Sequence, residues 1–229
     1  IMDGSAIWAA SLTETLGGMK GVRVSLLLKS RIHRTHVISR LLDLAPAVQI
    51  IEPNVSEKVG LKPAEAVDKL SSLDVHCRFR AFILRGLDLC VEAAHATAIQ
   101  GRIWAYLTDI PQRADLLDAE THKRISIVIA HSEFILCQTV QMQSYFEKNF
   151  SQAVGKTRIL PPMIPPVPDR ESTHFPIEPF RLCYAGKFAP RWGIYEMFEA
   201  FDVLRAQKPT AELHVFGDKV HNSTKQTDF

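Results

Sequence analysis

The sequence predicts an α/β chain built on parallel strands, and three observations carry that prediction. Short runs of β-branched and leucine residues alternate with segments of helical period along most of the chain. The run VRVSLLL at 22–28 shows no polar alternation, which suits a strand buried on both faces. A stretch at 161–179 then breaks the rhythm with seven of the chain's 13 prolines, after which strand and helix patterns resume. Rossmann-like layers are therefore expected twice, in a first domain over 1–160 and a second over 180–229, joined by a stiff linker.

The elements follow in order. Residues 4–16 (GSAIWAASLTETL) read as a helix, with Ile7, Ala10, Leu12 and Leu16 spaced for a buried stripe and Asp3 or Ser5 placed to cap it. A helix so early implies a first strand upstream, which the first domain would lack. After the strand at 22–28 come a short helix at 37–44, a strand at 48–51 and a helix at 63–73 that opens on Pro63, tolerated in the first turn. A strand at 82–84, a helix at 87–99, a strand at 103–107 (IWAYL) and a helix at 118–130 continue the pattern. A strand at 134–137, a helix at 140–150 and a strand at 158–160 complete the first domain. Past the linker stand a strand at 180–185, a helix at 194–206 with Met197, Phe198, Phe201 and Leu204 inward, and a strand at 211–216. Two strands and one helix do not close a core, so this second domain is expected to be incomplete.

Composition excludes several classes. The 229 residues are 46% hydrophobic and 23% charged, which is a packed globular chain rather than a disordered or collagen-like one. A formal charge of +2 does not make a nucleic-acid binder by bulk electrostatics, so no nucleic-acid partner is expected. Cys77, Cys90, Cys137 and Cys183 are too scattered for a zinc knuckle or a redox pair, and each is expected to be reduced, buried and cytosolic. No apolar run approaches the ~18 residues of a membrane span.

The sharpest chemical feature is YAGKFAPRWGIYEMFEAFDVLR at 184–205, followed by AELHVFGD at 211–218. A strand ends near Gly186, a loop carries Lys187 and Arg191, and Gly193 opens a helix. In a parallel sheet such a turn is an anion site, because free backbone amides and the helix dipole point at it. Two cations beside it suit a diphosphate, while a solvated edge with turn-forming glycines is the plainer alternative.

These residues resemble the start of the C-terminal domain of glycosyltransferase family 4, whose pattern is Tyr-x-Gly-Arg-x-x-x-x-Lys-Gly, a helix with Ala-Phe near its end, and a strand closing on Gly-Asp. Here the matching positions are Tyr184, Gly186, Lys187, Gly193, Ala200, Phe201, Gly217 and Asp218. Upstream, FILCQTVQMQSYFEKNF and KTRILPPMI resemble the family's exit from its N-terminal domain, and DGSAIWAASLTETLGGMKGVRVSLLL its first helix and second strand. Lys187 stands where the family has arginine, and Trp192 where it has lysine.

The resemblance implies a GT-B fold, two Rossmann-like domains facing a cleft, and a retaining hexosyltransferase. It would move a sugar from a nucleotide diphosphate sugar to a glycan or lipid-linked acceptor in cell-envelope or capsule polysaccharide synthesis. It also implies no metal and no cofactor beyond the donor substrate. Lys187, Arg191 and Gly186 would hold the diphosphate, with Gly4 and Ser5 shaping the donor side. Asp109, in IWAYLTDIPQ, would orient the acceptor or act as its base, with Thr108 in place of a histidine common in the family.

Arg85, ending FILRG, and Thr139, ending FILCQT, are further cleft candidates at strand termini, although Arg85 paired with Asp88 is the simpler account. The stretch KSRIHRTHVISR at 29–40 offers Lys29, Arg31, Arg34 and Arg40 to an anionic headgroup, a peripheral contact at the inner face of the membrane, against the plainer reading of a solvated loop. His33 and His36 within it lack a nearby carboxylate or thiol to complete a metal shell. Two other classes stay open: a nucleotide-sugar epimerase of the same fold, and a non-catalytic binding module.

Overall fold

The computed structural model describes residues 4–31, 38–55, 60–108, 110–111, 114–163, 179–188 and 193–219. Its elements are α1 (Gly4–Gly17), β1 (Val24–Leu27), α2 (Ser39–Leu42), β2 (Val48–Ile51), α3 (Pro63–Cys77), β3 (Phe82–Arg85), α4 (Leu87–His95) and β4 (Ile103–Tyr106). There follow α5 (Ala119–His131), β5 (Ser132–Cys137), α6 (Val140–Asn149), β6 (Thr157–Ile159), β7 (Arg181–Phe188), α7 (Ile194–Gln207) and β8 (Glu212–Lys219). Among the described residues every strand pair is parallel, so the chain is an α/β protein whose strands are joined through helices. It divides into two compact units, Gly4–Pro165 and a second that contains β7, α7 and β8.

Within the first unit the strands form two ladders, β1 with β2, and β3–β4–β5–β6 in sequence order. The sequence led us to expect one continuous sheet with β1 buried on both faces. Instead all four β1 residues are half-buried, because among the described residues β1 pairs with β2 alone, outside the four-strand sheet. The core lies on that larger sheet. Phe82, Leu84, Ile103, Ala105, Ile135 and Cys137 project from the strands against Cys90 and Ala93 of α4, Ile125, Val128 and Ile129 of α5, and Phe146 of α6. α1 contributes a different stripe from the expected one: Ser11, Leu12 and Thr13 are buried, while Ile7, Ala10 and Leu16 are only half-covered.

Helix ends follow local chemistry. Asp118 caps α5, its Oδ1 accepting from the Thr121 amide at 2.7 Å, and Lys62 precedes Pro63 with its own amide donating to Glu65 Oε2 at 2.8 Å. α3 runs past its expected end at 73 to Cys77 and stops where Arg78 turns left-handed at φ 51°. α4 stops at His95, short of the expected 99, and Ile99 plugs the core from the following turn. The Lys156 ammonium donates to the carbonyls of Ile129, Ala130 and Ser132 at 2.7, 3.2 and 3.0 Å, meeting acceptors that the end of α5 leaves open.

Two cysteine expectations fail. Cys90 and Cys137 are buried, but Cys77 sits exposed at the end of α3, and Cys183 is exposed on the ladder of β7 and β8. The described residues of the second unit, two strands and one helix, have too little surface to bury every apolar side chain. For the same reason Phe198 of α7 is exposed rather than inward, and the helix buries Ile194 with Met197, Phe201 and Leu204 half-covered.

Gly17 shows how closely α1 meets β2. A Cβ there would stand 2.3 Å from Val48 Cγ2, and the β-branched valine has little room to turn. Gly17→Ala is expected to cost roughly 1–3 kcal/mol by overpacking. A thermal midpoint equal to wild type would show that the helix is not seated this way.

Candidate functional site

Ligands of parallel α/β sheets sit outside the carboxyl ends of the strands, and each unit has such an edge. In the first unit the register places Arg85 beside Tyr106, and Tyr106 beside Leu136. Strand side chains alternate, so Thr108, two residues past Tyr106, and Gln138, two past Leu136, fall on that same face. The amide of Gly86 donates to the Tyr106 carbonyl at 3.0 Å, holding the strand ends level.

Trp8 of α1 reaches this edge. Its ring stacks on Tyr106 with centroids 4.5 Å apart and planes 17° from parallel. The Tyr106 hydroxyl accepts a short hydrogen bond from Gln138 Nε2, while Tyr106 itself is 1% exposed. Nε1 of Trp8 and Oγ1 of Thr108 are cut off from solvent and have no hydrogen-bond partner. Burial pushes the neighbouring Cys137 thiol up to about 12, and the Cys90 thiol likewise to about 12, so neither is a thiolate nucleophile near neutral pH.

Of the residues singled out from sequence, Arg85 closes β3 and Thr108 stands two residues past the end of the adjacent β4. The Asp88 carboxylate is bonded to Arg124 of α5, and Arg85 has an interaction of its own. Thr139 is a helix cap: its Oγ1 accepts from the Met142 amide at 3.1 Å at the start of α6. Gly4 and Ser5 form the first turn of α1, so Ser5 is inside the helix instead of capping it. Asp3 and Asp109 lie outside the described residues. Trp8, Tyr106 and Gln138 were not singled out. The period of two pointed from Thr108 back to Tyr106, but nothing local placed α1 over β4.

In the second unit β7 and β8 pair over eight residues each, setting Gly186 beside Gly217 and Lys187 beside Asp218. α7 starts at Ile194 after Gly193, which is left-handed at φ 74° and offers no side-chain cap. Glu196 stands in the first turn. A Cβ on Gly186 would come within 2.8 Å of the Tyr184 hydroxyl, a contact that ring movement can relieve. The Lys187 side chain, Arg191 and Trp192 lie outside what the structure describes.

No family model, curated protein or solved structure matches this chain.

The basic stretch is partly described. Arg31 donates to Asn54 Oδ1 at 2.8 Å, Lys29 accepts from the Leu61 amide at 2.7 Å through its carbonyl, and Arg40 stands 4.0 Å from Glu14. Arg34, His33 and His36 lie outside the described residues. An open groove of mixed charge lies nearby, lined by Glu52, Asn54, Glu65, Asp68 and Lys69. Among the described residues no group of three or more His, Cys, Asp or Glu is placed to hold a metal ion. None of the described helices is long and apolar enough to cross a membrane.

Proposed function

We propose that the chain belongs to a retaining, nucleotide-sugar-dependent glycosyltransferase of the GT-B type. In this reading the Gly4–Pro165 unit serves the acceptor and the β7–α7–β8 unit the donor. One observation supports it: a parallel strand pair, β7 with β8, followed in the chain by α7, which opens after the left-handed Gly193 without a side-chain cap from that residue, with Gly186 and Lys187 near the end of β7 before Phe188. Amides at the start of a helix favour an anionic oxygen.

The chemistry is transfer of a glycosyl group. The bond between the anomeric carbon and the diphosphate oxygen breaks, a bond to an acceptor hydroxyl oxygen forms on the same face, and the hydroxyl proton goes to the departing diphosphate. Lys187, Arg191 and the α7 amides would stabilise the charge that develops on that diphosphate. Asp109 would orient the acceptor hydroxyl. A lipid-linked or glycan acceptor, made at a cytoplasmic membrane face, fits a basic stretch at 29–40.

Calorimetry with UDP and GDP tests the donor assignment. The chain is expected to bind one of them, and Lys187→Ala with Arg191→Ala to weaken that binding at least tenfold, about 1.4 kcal/mol. No binding of either nucleotide, or equal binding by the double variant, overturns the reading.

A further inference from the structure

Among the described residues the Gly4–Pro165 unit holds two ladders that do not join, since β1 pairs only with β2 and β3 only with β4. The amides of Val24 and Leu28 donate to the Ala47 and Ile51 carbonyls, and those of Phe82 and Gly86 to the Arg102 and Tyr106 carbonyls. In a parallel ladder alternate residues address one neighbour. Ser25 and Leu27 of β1 and Ile83 of β3 therefore turn their backbone groups the other way, toward edges that no described strand pairs. Open edges of this kind are templates for another strand, and folded proteins cover them.

Two further observations place that strand between β1 and β3. α1 lies on both ladders, with Trp8 stacked on Tyr106 of β4 and Gly17 against Val48 of β2, so one helix covers both ladders as a single layer. The two contacts are about 14 Å apart along the helix axis and strands stand about 4.8 Å apart, so with the reach of the indole added the layer admits one extra strand and not two. The second observation is burial. VRVSLLL has the composition of a strand enclosed on all sides, yet all four residues of β1 are only half-buried. A neighbour on its open side would supply the missing cover.

The surroundings define the occupant. Phe82 and Leu84 of β3 are buried in the core, so a strand beside them has to be apolar. Each described ladder is parallel and β1 follows α1, so a strand that ran into α1 and out through β1 would complete a right-handed β–α–β crossover. We infer that the boundary between β1 and β3 is the seat of one more parallel, apolar strand, supplied by polypeptide that leads into α1. The inference stands on backbone pairing in this unit alone, so it and the nucleotide reading can fail separately.

The test extends the 229-residue chain ahead of Ile1 with Val-Ile-Val-Ile-Val and, as a control, with Val-Ile-Pro-Ile-Val, whose proline cannot donate to a ladder. Amide hydrogen exchange is followed by NMR. In the unextended chain Ser25, Leu27 and Ile83 are expected to exchange about tenfold faster than Val24 and Phe82, whose amides are bonded within the ladders. The extension is expected to slow those three amides about tenfold, and the proline control to leave them as they are. Three results overturn the inference. One is slow exchange of the three amides in the unextended chain, through direct pairing of β1 with β3 or through self-association that rises with concentration. The others are no slowing by the extension, and equal slowing by the control. The comparison within the unextended chain decides if the extended one fails to fold.

Discussion

Phe146→Ala is expected to remove roughly 3–5 kcal/mol of stability, the largest single loss in the molecule. Phe146 is 0% exposed, and its ring meets Tyr145 edge-on at 5.7 Å and Phe150 at 6.1 Å. Phe150 in turn stacks on His122 of α5 at 4.7 Å, so the phenylalanine pair joins two helices under the sheet. Truncation would open a cavity in the middle of that contact, where rigid neighbours cannot collapse inward. At about 2–4 °C per kcal/mol for a chain of this size, the thermal midpoint should fall by about 10 °C. A fall of less than about 3 °C would mean that the ring does not bridge the helices.

Arg102→Ala is the second. The guanidinium donates from Nη1 to Asp74 Oδ1 at 3.0 Å and to the Phe79 carbonyl at 2.6 Å, and from Nη2 to Asp74 Oδ2 at 2.7 Å and the Ala98 carbonyl at 2.5 Å. It also lies 5.1 Å over the Phe82 ring. One side chain therefore ties the end of α3, the start of β3 and the turn before β4. With 31% of Arg102 and 15% of the Asp74 side chain exposed, solvent weakens the pair, and a loss of about 2 kcal/mol is expected in place of the larger cost of breaking a fully buried one.

This loss depends on pH. The hydrogen bonds from Arg102, helped by the Phe79 amide, hold the Asp74 carboxyl below its ordinary 3.8. A depressed carboxylate stabilises the fold above its unfolded value and gives that stability up as pH falls through the folded one. The difference between wild type and Arg102→Ala in chemical denaturation should therefore be full at neutral pH and shrink below 3.8. A gap that stays constant across that range would assign the effect to packing on Phe82.

Much of this fold was legible because its strands are short apolar runs, and such runs bury in only a few ways. The strand at 48–51 was read with its observed bounds, and β3, β4 and β5 differ from their expected spans by one or two residues. The start of α5 was read within one residue, at Asp118, which caps the helix instead of being its first residue. Errors gathered where neighbours decide. VRVSLLL has the composition of a central strand, but the burial of β1 depends on which strands flank it, and no residue within the run encodes that. Phe198 fits a helical stripe, yet α7 covers only a two-strand ladder.

The site divides in the same way. Thr108 could be found because a buried strand ends there, whereas Trp8 lies in a helix whose partner is far along the sequence. Its isolated stretch, GSAIWAASL, says only that an aromatic is half-covered. What makes Trp8 informative is its stacking on Tyr106, a contact that exists only after α1 has docked on the sheet.

The parallel pairing of every described strand has a kinetic consequence. No strand here can find its partner through a hairpin turn; each ladder closes only after the helix between its strands has folded and brought the far strand round. Loop-closure entropy is thus spent before any strand hydrogen bond repays it, which sets the chain among the slower folders of its size. During that interval apolar strands such as IWAY and FILC have bare edges, so the rate at which α4 and α5 pack governs how long the chain is open to aggregation.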